Sequence, residues 1–574
     1  MKTKLILFVM FLLAVFNTTY GQKNITVDFS TTIDTVKDLL GGNLLFDNTA
    51  SLLHNEGLKI IRSHDFHHSL DYSDYSAFWN SNGSGNYTLN MSFDPENPAD
   101  YFWYKADSVI SFIKNNSFDI FFRIGVSYPN PNTPPLPPYD PPCNSSADNL
   151  NFSRFASLCK HIIKHYNNGW DNGQNDSITY WEVWNEPGGL FWNGSVLQFY
   201  KMYQAVSDSI KNYAPNCKIG APGAVPSTSI GVHTAYREGF INFCSQNNLP
   251  LDFYSWHLYG YKNPYGIKEI ADTIRAILDD NGYTNAENII SEINSSLDST
   301  LDTLAISPYG AAYYLSTILT AQKSCIDKLF WYPSCVGIRD MATGDTIHSR
   351  VYYGMTCFHN LQETTPVEVP NDGDIVVDGN WDNYETNFMV LSSKSEDNQK
   401  FSVLISNLSS NVDSVVLNLH GLPFTTNDTV KITKQIISSN YIFNTEETVV
   451  TGDSVITINN FNCPNPGVLF YQLEKRTTTS TNEMVANTNI DIYPNPASQN
   501  VNIIYSCNKK ESCNISIYNM TGKKIKTIFS GNLQQGKHKF VWNVPGENNK
   551  IRRGSYICTI QTENGCITKK IIIN

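Results

Sequence analysis

Between Gly41 and Glu363 short runs rich in β-branched and aromatic residues alternate eight times with amphipathic stretches, and no other feature limits the fold so tightly. The runs are "GNLLF", "LKIIRSH", "FDIFFRIGVS", "ITYWEVWNE", "CKIGAP", "LDFYSWH", "NIISEIN" and "KLFWYP". The intervening segments carry a helical period. In one of them Ser195 is a natural N-cap, and Val196, Tyr200, Tyr203, Val206 and Ile210 follow at spacings of four, three, three and four. Strand then helix, eight times in about 320 residues, predicts a (β/α)8 barrel of the α/β class. Past about Gln362 the helical period stops. Runs such as "FSVLISNLSS" and "VVLNLHGL" predict an antiparallel β-sandwich. The segment "RTTTSTNEMVANTN" is a polar linker, and the remainder, to the final "KKIIIN", is a small third β module. The expected boundaries are 22–362 for the barrel, 363–475 for the sandwich, 476–489 for the linker and 490–574 for the last module.

The first residues predict export. Met1 to Lys4 are basic, Leu5 to Phe16 form an apolar run of 12, and "NTTYGQ" follows. That run is too short for a membrane span, which needs about 20 residues, and fits a signal peptide over 1–21. No later segment is long and apolar enough to span, so no transmembrane segment is expected in the mature chain. Lys plus Arg number 41 against 53 Asp plus Glu, a net charge of -12 that argues against nucleic acid as a partner. None of the 12 cysteines falls in a C-x-x-C pair, which disfavours a zinc ribbon or a redox motif, although export permits disulfides.

The stretch "YWEVWNEPGG" carries Glu182 and Glu186. Alternation along a strand puts Glu182, Trp184 and Glu186 on one face, directed into the barrel. At about 3.3 Å per residue the two carboxylates lie roughly 13 Å apart. A retaining glycosidase needs about 5.5 Å and an inverting one about 6.5–9.5 Å, so these two are not each other's partner. Pro187 ends the strand and puts Glu186 at its C-terminal tip, the rim where barrel enzymes hold their chemistry. Glu182, one layer deeper, is expected to pair with an interior arginine, Arg62 or Arg123. The partner of Glu186 should close another strand, and in "NIISEINSS" Glu292 does so on the seventh.

"YWEVWNEPGGLFWNG", "IISEINSSLDSTLDT", "DFYSWHLYG" and the Arg-x-His of "IIRSHDF" together resemble glycoside hydrolase family 39, the β-xylosidases and α-L-iduronidases, over roughly residues 40–360. The resemblance implies a retaining double displacement with Glu186 as general acid/base and Glu292 as nucleophile. It gives Asn185 a hydrogen bond to the sugar hydroxyl beside the anomeric carbon. Arg62 would hold Glu292 ionised, His64 and His257 would meet substrate, Tyr259 would donate to the nucleophile, and Trp331 would be a platform for the apolar sugar face. No cofactor and no metal are implied; the substrate would be an oligo- or polysaccharide, and an exo-acting β-xylosidase-like activity is expected. The last module, with "YPNP", "IYNMTGKKI" and "GSYICTI", resembles the type A sorting domain of the Bacteroidetes type IX secretion system, which makes that machinery a partner and places the protein outside the cell or on its surface.

Other readings compete. "HDFHH" suggests a metal, but strand geometry separates His64 from its neighbours. "PNPNTPPLPPYDPPC" after the third strand would be a stiff wall offering Tyr128 and Tyr139 to substrate. After His257 the chain has Leu258 and Tyr259 where the iduronidase branch would carry basic residues, which favours a neutral sugar; Lys262 and Arg339 keep an acidic one open. A β-glucosidase or mannosidase-type specificity and a catalytically dead carbohydrate-binding barrel are the alternatives.

Overall fold

The computed structural model describes residues 21–573 apart from 67–68, 82–86, 128–150, 189–190, 226–233, 261–262, 296–303, 305, 335–345, 347, 377–386, 461, 477–489, 496, 498, 508, 520–522, 545–553 and 563–564. The signal segment, the proline-rich loop with Tyr128 and Tyr139, the pair His67 and His68, and Lys262 and Arg339 lie outside the described residues.

Eight strands, Gly41–Asn43, Ile60–Arg62, Asp119–Ile124, Tyr180–Val183, Lys218–Ala224, Phe253–Tyr259, Glu287–Asn294 and Lys328–Trp331, run parallel, each beside its sequence neighbours. The eighth closes on the first through Phe330 beside Gly41 and Trp331 beside Gly42. All eight predicted runs are therefore barrel strands. Phe121, Phe253, Ile289 and Phe330 plug the lower end of the barrel as one buried cluster. Above them the interior turns polar, with Arg62, Arg123 and Glu182 fully buried. The predicted helix runs Val196–Tyr213, and Ser195 and Gln198 form a reciprocal capping box at its start.

The helix Pro308–Gln322 is buried on every side, which a helix between two layers requires. One side faces the barrel. The other meets the sandwich strands Asn387–Lys394, Lys400–Ser409 and Gly467–Lys475, where the Ser406 hydroxyl donates to the Ala312 carbonyl at 2.7 Å. Met389, Leu404 and Phe470 of the sandwich join Leu315 and Ile318 in the barrel's own hydrophobic core, so barrel and sandwich form one compact unit ending at Lys475. Arg350, opening the last barrel helix, donates to the carbonyls of Ser438 and Ser439 and to Ile306 after the seventh strand, which ties a sandwich turn to the rim.

One boundary needs correction. Gly21–Asp28, assigned by sequence to the barrel, is a sandwich strand running parallel to Val412–His420. Its period of two, with Ile25 and Val27 buried and Thr26 exposed, is that of a half-buried sheet.

Residues 476–574 form a second unit with its own core. Two sheets, one holding Asn500–Cys507 and the other Glu511–Asn519, enclose Val501, Ile515, Ile517 and Trp542. The cysteines described in both units are free thiols. Among the described residues no helix is long and apolar enough to cross a membrane.

Candidate active site

The fourth strand stops at Val183, before the tip that the sequence suggested, because Trp184 and Glu186 both take left-handed backbone conformations, with φ of 77° and 43°. Alternation therefore fails there. Trp184 does not share a face with Glu182; it turns into the outer core, stacks edge-on against Trp192, and donates its indole N–H to the Phe191 carbonyl at 2.9 Å. A non-glycine left-handed residue is strained, and such strain gathers at functional sites. Here it delivers Glu186 to the rim, where its backbone N–H donates to the Gly223 carbonyl at 3.1 Å. Gly223 itself needs φ of +59°, and a Cβ there would sit 3.1 Å from His257 Nε2.

Glu182 stays below, fully buried, its Oε2 accepting from Arg62 Nε at 2.6 Å, as the spacing argument required. Arg62 is a hub. Nη1 donates to Glu292 Oε1 at 2.6 Å and to Asn43 Oδ1 at 3.1 Å, and Nη2 donates to Asn185 Oδ1 at 2.7 Å. The register of the seventh strand slips between Ile290 and Glu292, a local irregularity of the kind that re-aims side chains. Glu292 consequently faces the pocket, with Oε2 accepting from the Tyr259 hydroxyl at 2.5 Å. His257 Nδ1 lies 2.7 Å from Glu186 Oε1 and 3.6 Å from Glu292 Oε2. One oxygen of each glutamate and a ring nitrogen of His257 all lie within 4.8 Å of one another. That is the close pairing of a retaining site, too short for an intervening inverting water.

Burial pushes the Glu186 carboxyl up to about 7; Asp65 adds to the rise and Arg62 opposes it. Burial also raises Glu292, against the pull of His257, Arg62 and the Tyr259 hydroxyl. His257 is itself driven down to about 4 by burial, so it is uncharged at neutral pH. Arg62 and Tyr259 are then the groups that oppose that rise and favour the Glu292 carboxylate. Asn185 Nδ2, His64 Nδ1 and His257 Nε2 are buried without a hydrogen-bond partner among the described residues. Because Arg62 holds Asn185 by its oxygen, the amide N–H₂ is left to meet a hydroxyl.

Seven of the eight predicted site residues thus meet: Glu186, Glu292, Asn185, Arg62, His64, His257 and Tyr259. Trp331 does not. Phe330 points inward with the barrel plug, so Trp331 points outward, 1% exposed, and stacks on Tyr314 at 3.9 Å. It is core packing rather than a sugar platform. Trp331→Ala is expected to lower unfolding free energy by about 3–5 kcal/mol, read from denaturant curves, and to leave KM unchanged. A raised KM at unchanged stability would restore the platform role.

Sequence reasoning missed Asn43, Asp65 and Tyr332. Continuing the alternation by one residue past Trp331 would have found Tyr332, whose hydroxyl donates to Asp65 Oδ2 at 2.6 Å. The trio Glu186, His257 and Glu292 also has the separation of metal ligands, but both Glu292 oxygens already accept from Arg62 and Tyr259.

Residues 144–317 match the family described as glycosyl hydrolases family 39, and residues 491–574 match the secretion system C-terminal sorting domain. A β-xylosidase of Caldicellulosiruptor saccharolyticus is 32% identical over 106 residues, 18% of this chain and 19% of that protein. A β-xylosidase of Geobacillus stearothermophilus is 21% identical over 235 residues, 37% of this chain and 44% of that protein. The matches thus span less than half the length of these curated relatives. Among solved structures, a glucosidase from Croceicoccus marinus superposes with a TM-score of 0.61 at 19% identity, over 80% of this chain and 100% of that one, which establishes the shared fold. Part of the barrel, residues 144–317, is thus similar to glycosyl hydrolases family 39, and residues 491–574 are similar to a secretion system C-terminal sorting domain.

Proposed function

We propose that the protein is an exported, retaining glycoside hydrolase of β-xylosidase-like, exo-acting type. The observation that carries this reading is the Glu186–Glu292 pair, close enough for double displacement and unequal in environment. Glu186, its carboxyl raised to about 7 and so about half protonated at neutral pH, gives its proton to the leaving oxygen while Glu292 Oε attacks the anomeric carbon. Asn185 Nδ2 binds the neighbouring hydroxyl as the bond breaks. Glu186, now a carboxylate, takes a proton from the water that releases the sugar, and configuration is retained. The sorting domain and the basic, apolar N-terminus support export through a signal peptide followed by the type IX machinery.

The test is a panel of aryl glycosides with the first-formed anomer read by NMR. The expected result is hydrolysis with retention, best on a neutral pentoside. Release of the opposite anomer would end the double-displacement reading. Because the acid form of Glu186 is required, kcat/KM should fall as pH rises through about 7. An uncatalytic binding barrel is the second reading; covalent trapping by a fluorinated glycoside, seen by mass spectrometry, separates the two.

A further inference from the structure

Asp65 belongs to the "HDFHH" run that the sequence offered as a metal motif. It sits just past the second strand with φ of 60°, its backbone N–H donating to Ser127 Oγ at 3.2 Å. That left-handed turn places its carboxylate among the catalytic groups. Oδ2 accepts from the Tyr332 hydroxyl, and Oδ1 lies 3.4 Å from His64 Nε2, which is itself 3.5 Å from Glu292 Oε1. The side chain keeps 16% of its surface exposed. A third carboxylate therefore shares the pocket with the pair.

We propose that Asp65 is a specificity-determining residue that contacts substrate, accepting hydrogen bonds from hydroxyls of a neutral sugar seated against Glu292 and turning away a uronic acid. The proposal rests on the glycosidase reading above. Hydroxyl donation to a carboxylate is charge-assisted and strong, and a sugar ring offers such donors around its edge. A sugar carboxylate would instead meet like charge. Arg62 already bonds Glu182, Glu292, Asn43 and Asn185. His64 is held well below its ordinary range, chiefly by burial and then by Arg62, and His257 is uncharged as well. Among the described residues the balance facing the pocket is negative.

The same charge acts on the acid. Glu186 is faced by His257 and Tyr259 from the sixth strand, Glu292 from the seventh, Arg62 from the second and Asp65 beyond it. Removing Asp65's charge makes the Glu186 carboxylate easier to form.

The experiment uses the full chain and the variants Asp65→Asn and Tyr332→Phe, the second removing only the hydroxyl that orients Asp65. Rates are taken on the best neutral aryl glycoside and on aryl uronides across pH. Asp65→Asn is expected to lower kcat/KM on the neutral glycoside by about tenfold or more, as loss of a charged hydrogen bond does. It should also raise the uronide-to-neutral ratio and move the descending pH limb to lower pH; Tyr332→Phe should shift the ratio the same way, by less. An active wild type with an unchanged ratio and limb in Asp65→Asn overturns the proposal, as does a wild type that prefers a uronide. If the wild type cleaves nothing, the catalytic reading fails separately. Calorimetric titration with xylose and with glucuronate then decides Asp65: stronger xylose binding, lost in Asp65→Asn, supports it, and equal binding overturns it.

Discussion

Glu292→Ala and Glu186→Ala should each lower kcat on an unactivated glycoside by about 10⁴-fold, the upper range for a positioned proton-transfer group and no less for a lost nucleophile. Their responses to azide should differ. Without the Glu292 carboxylate, azide fits the vacated face of the anomeric carbon and displaces the aglycone in one step, so the glycosyl azide has inverted configuration. Without Glu186, Glu292 still forms the covalent intermediate from an aryl glycoside whose leaving group needs no proton. Azide then attacks that intermediate, and two displacements give a retained product. The Glu186→Ala profile should also lose the limb near pH 7. NMR of the two glycosyl azides checks the assignment, because exchanged stereochemistry would exchange the roles, and turnover near wild type in either variant would remove them.

How much of this was legible in the sequence depends on how local the cause is. The barrel was legible because each strand and helix signals itself through its own period, and eight in order admit few topologies. Glu186 and Glu292 were legible as candidates for a similar reason: Pro187 and the polar residues after Glu292 put both near strand tips, the rim where barrel enzymes hold their chemistry, although the fourth strand ends at Val183 and the seventh at Asn294. Glu182 followed from depth and the expense of a lone buried charge. Trp331 obeys alternation; what the reading missed was its phase, set by Phe330 facing inward. Trp184 and Asp65 failed for another reason: each lies just past a strand end, where a left-handed residue decides which way a side chain points. Alternation predicts the faces of a strand only while the strand lasts. Gly21–Asp28 failed differently, since its pattern says half-buried strand without saying which sheet will bury it.

Arg62→Met should lower stability by about 3–5 kcal/mol in denaturant unfolding, because it removes one partner from a buried ionic cluster. Arg62 is fully buried and bonds Glu182 and Glu292 at 2.6 Å each, so the variant leaves two carboxylates without their cation in a dry interior. Much of that loss belongs to Glu182, which meets no reacting atom. Adding Glu182→Gln to Arg62→Met should therefore recover a large part of the stability, and the shortfall from additivity measures the coupling. Activity should not return with it. Glu292 would then keep the neighbours that raise its pKa, burial and Glu186, while losing the charge that opposes them, and a protonated Glu292 is no nucleophile. If the double variant regained turnover along with stability, Arg62 would be a folding strut alone and Tyr259 would suffice to keep the nucleophile ionised. A single variant costing under about 1 kcal/mol would mean that water replaces the guanidinium, and the cluster would not be the closed ionic core described above.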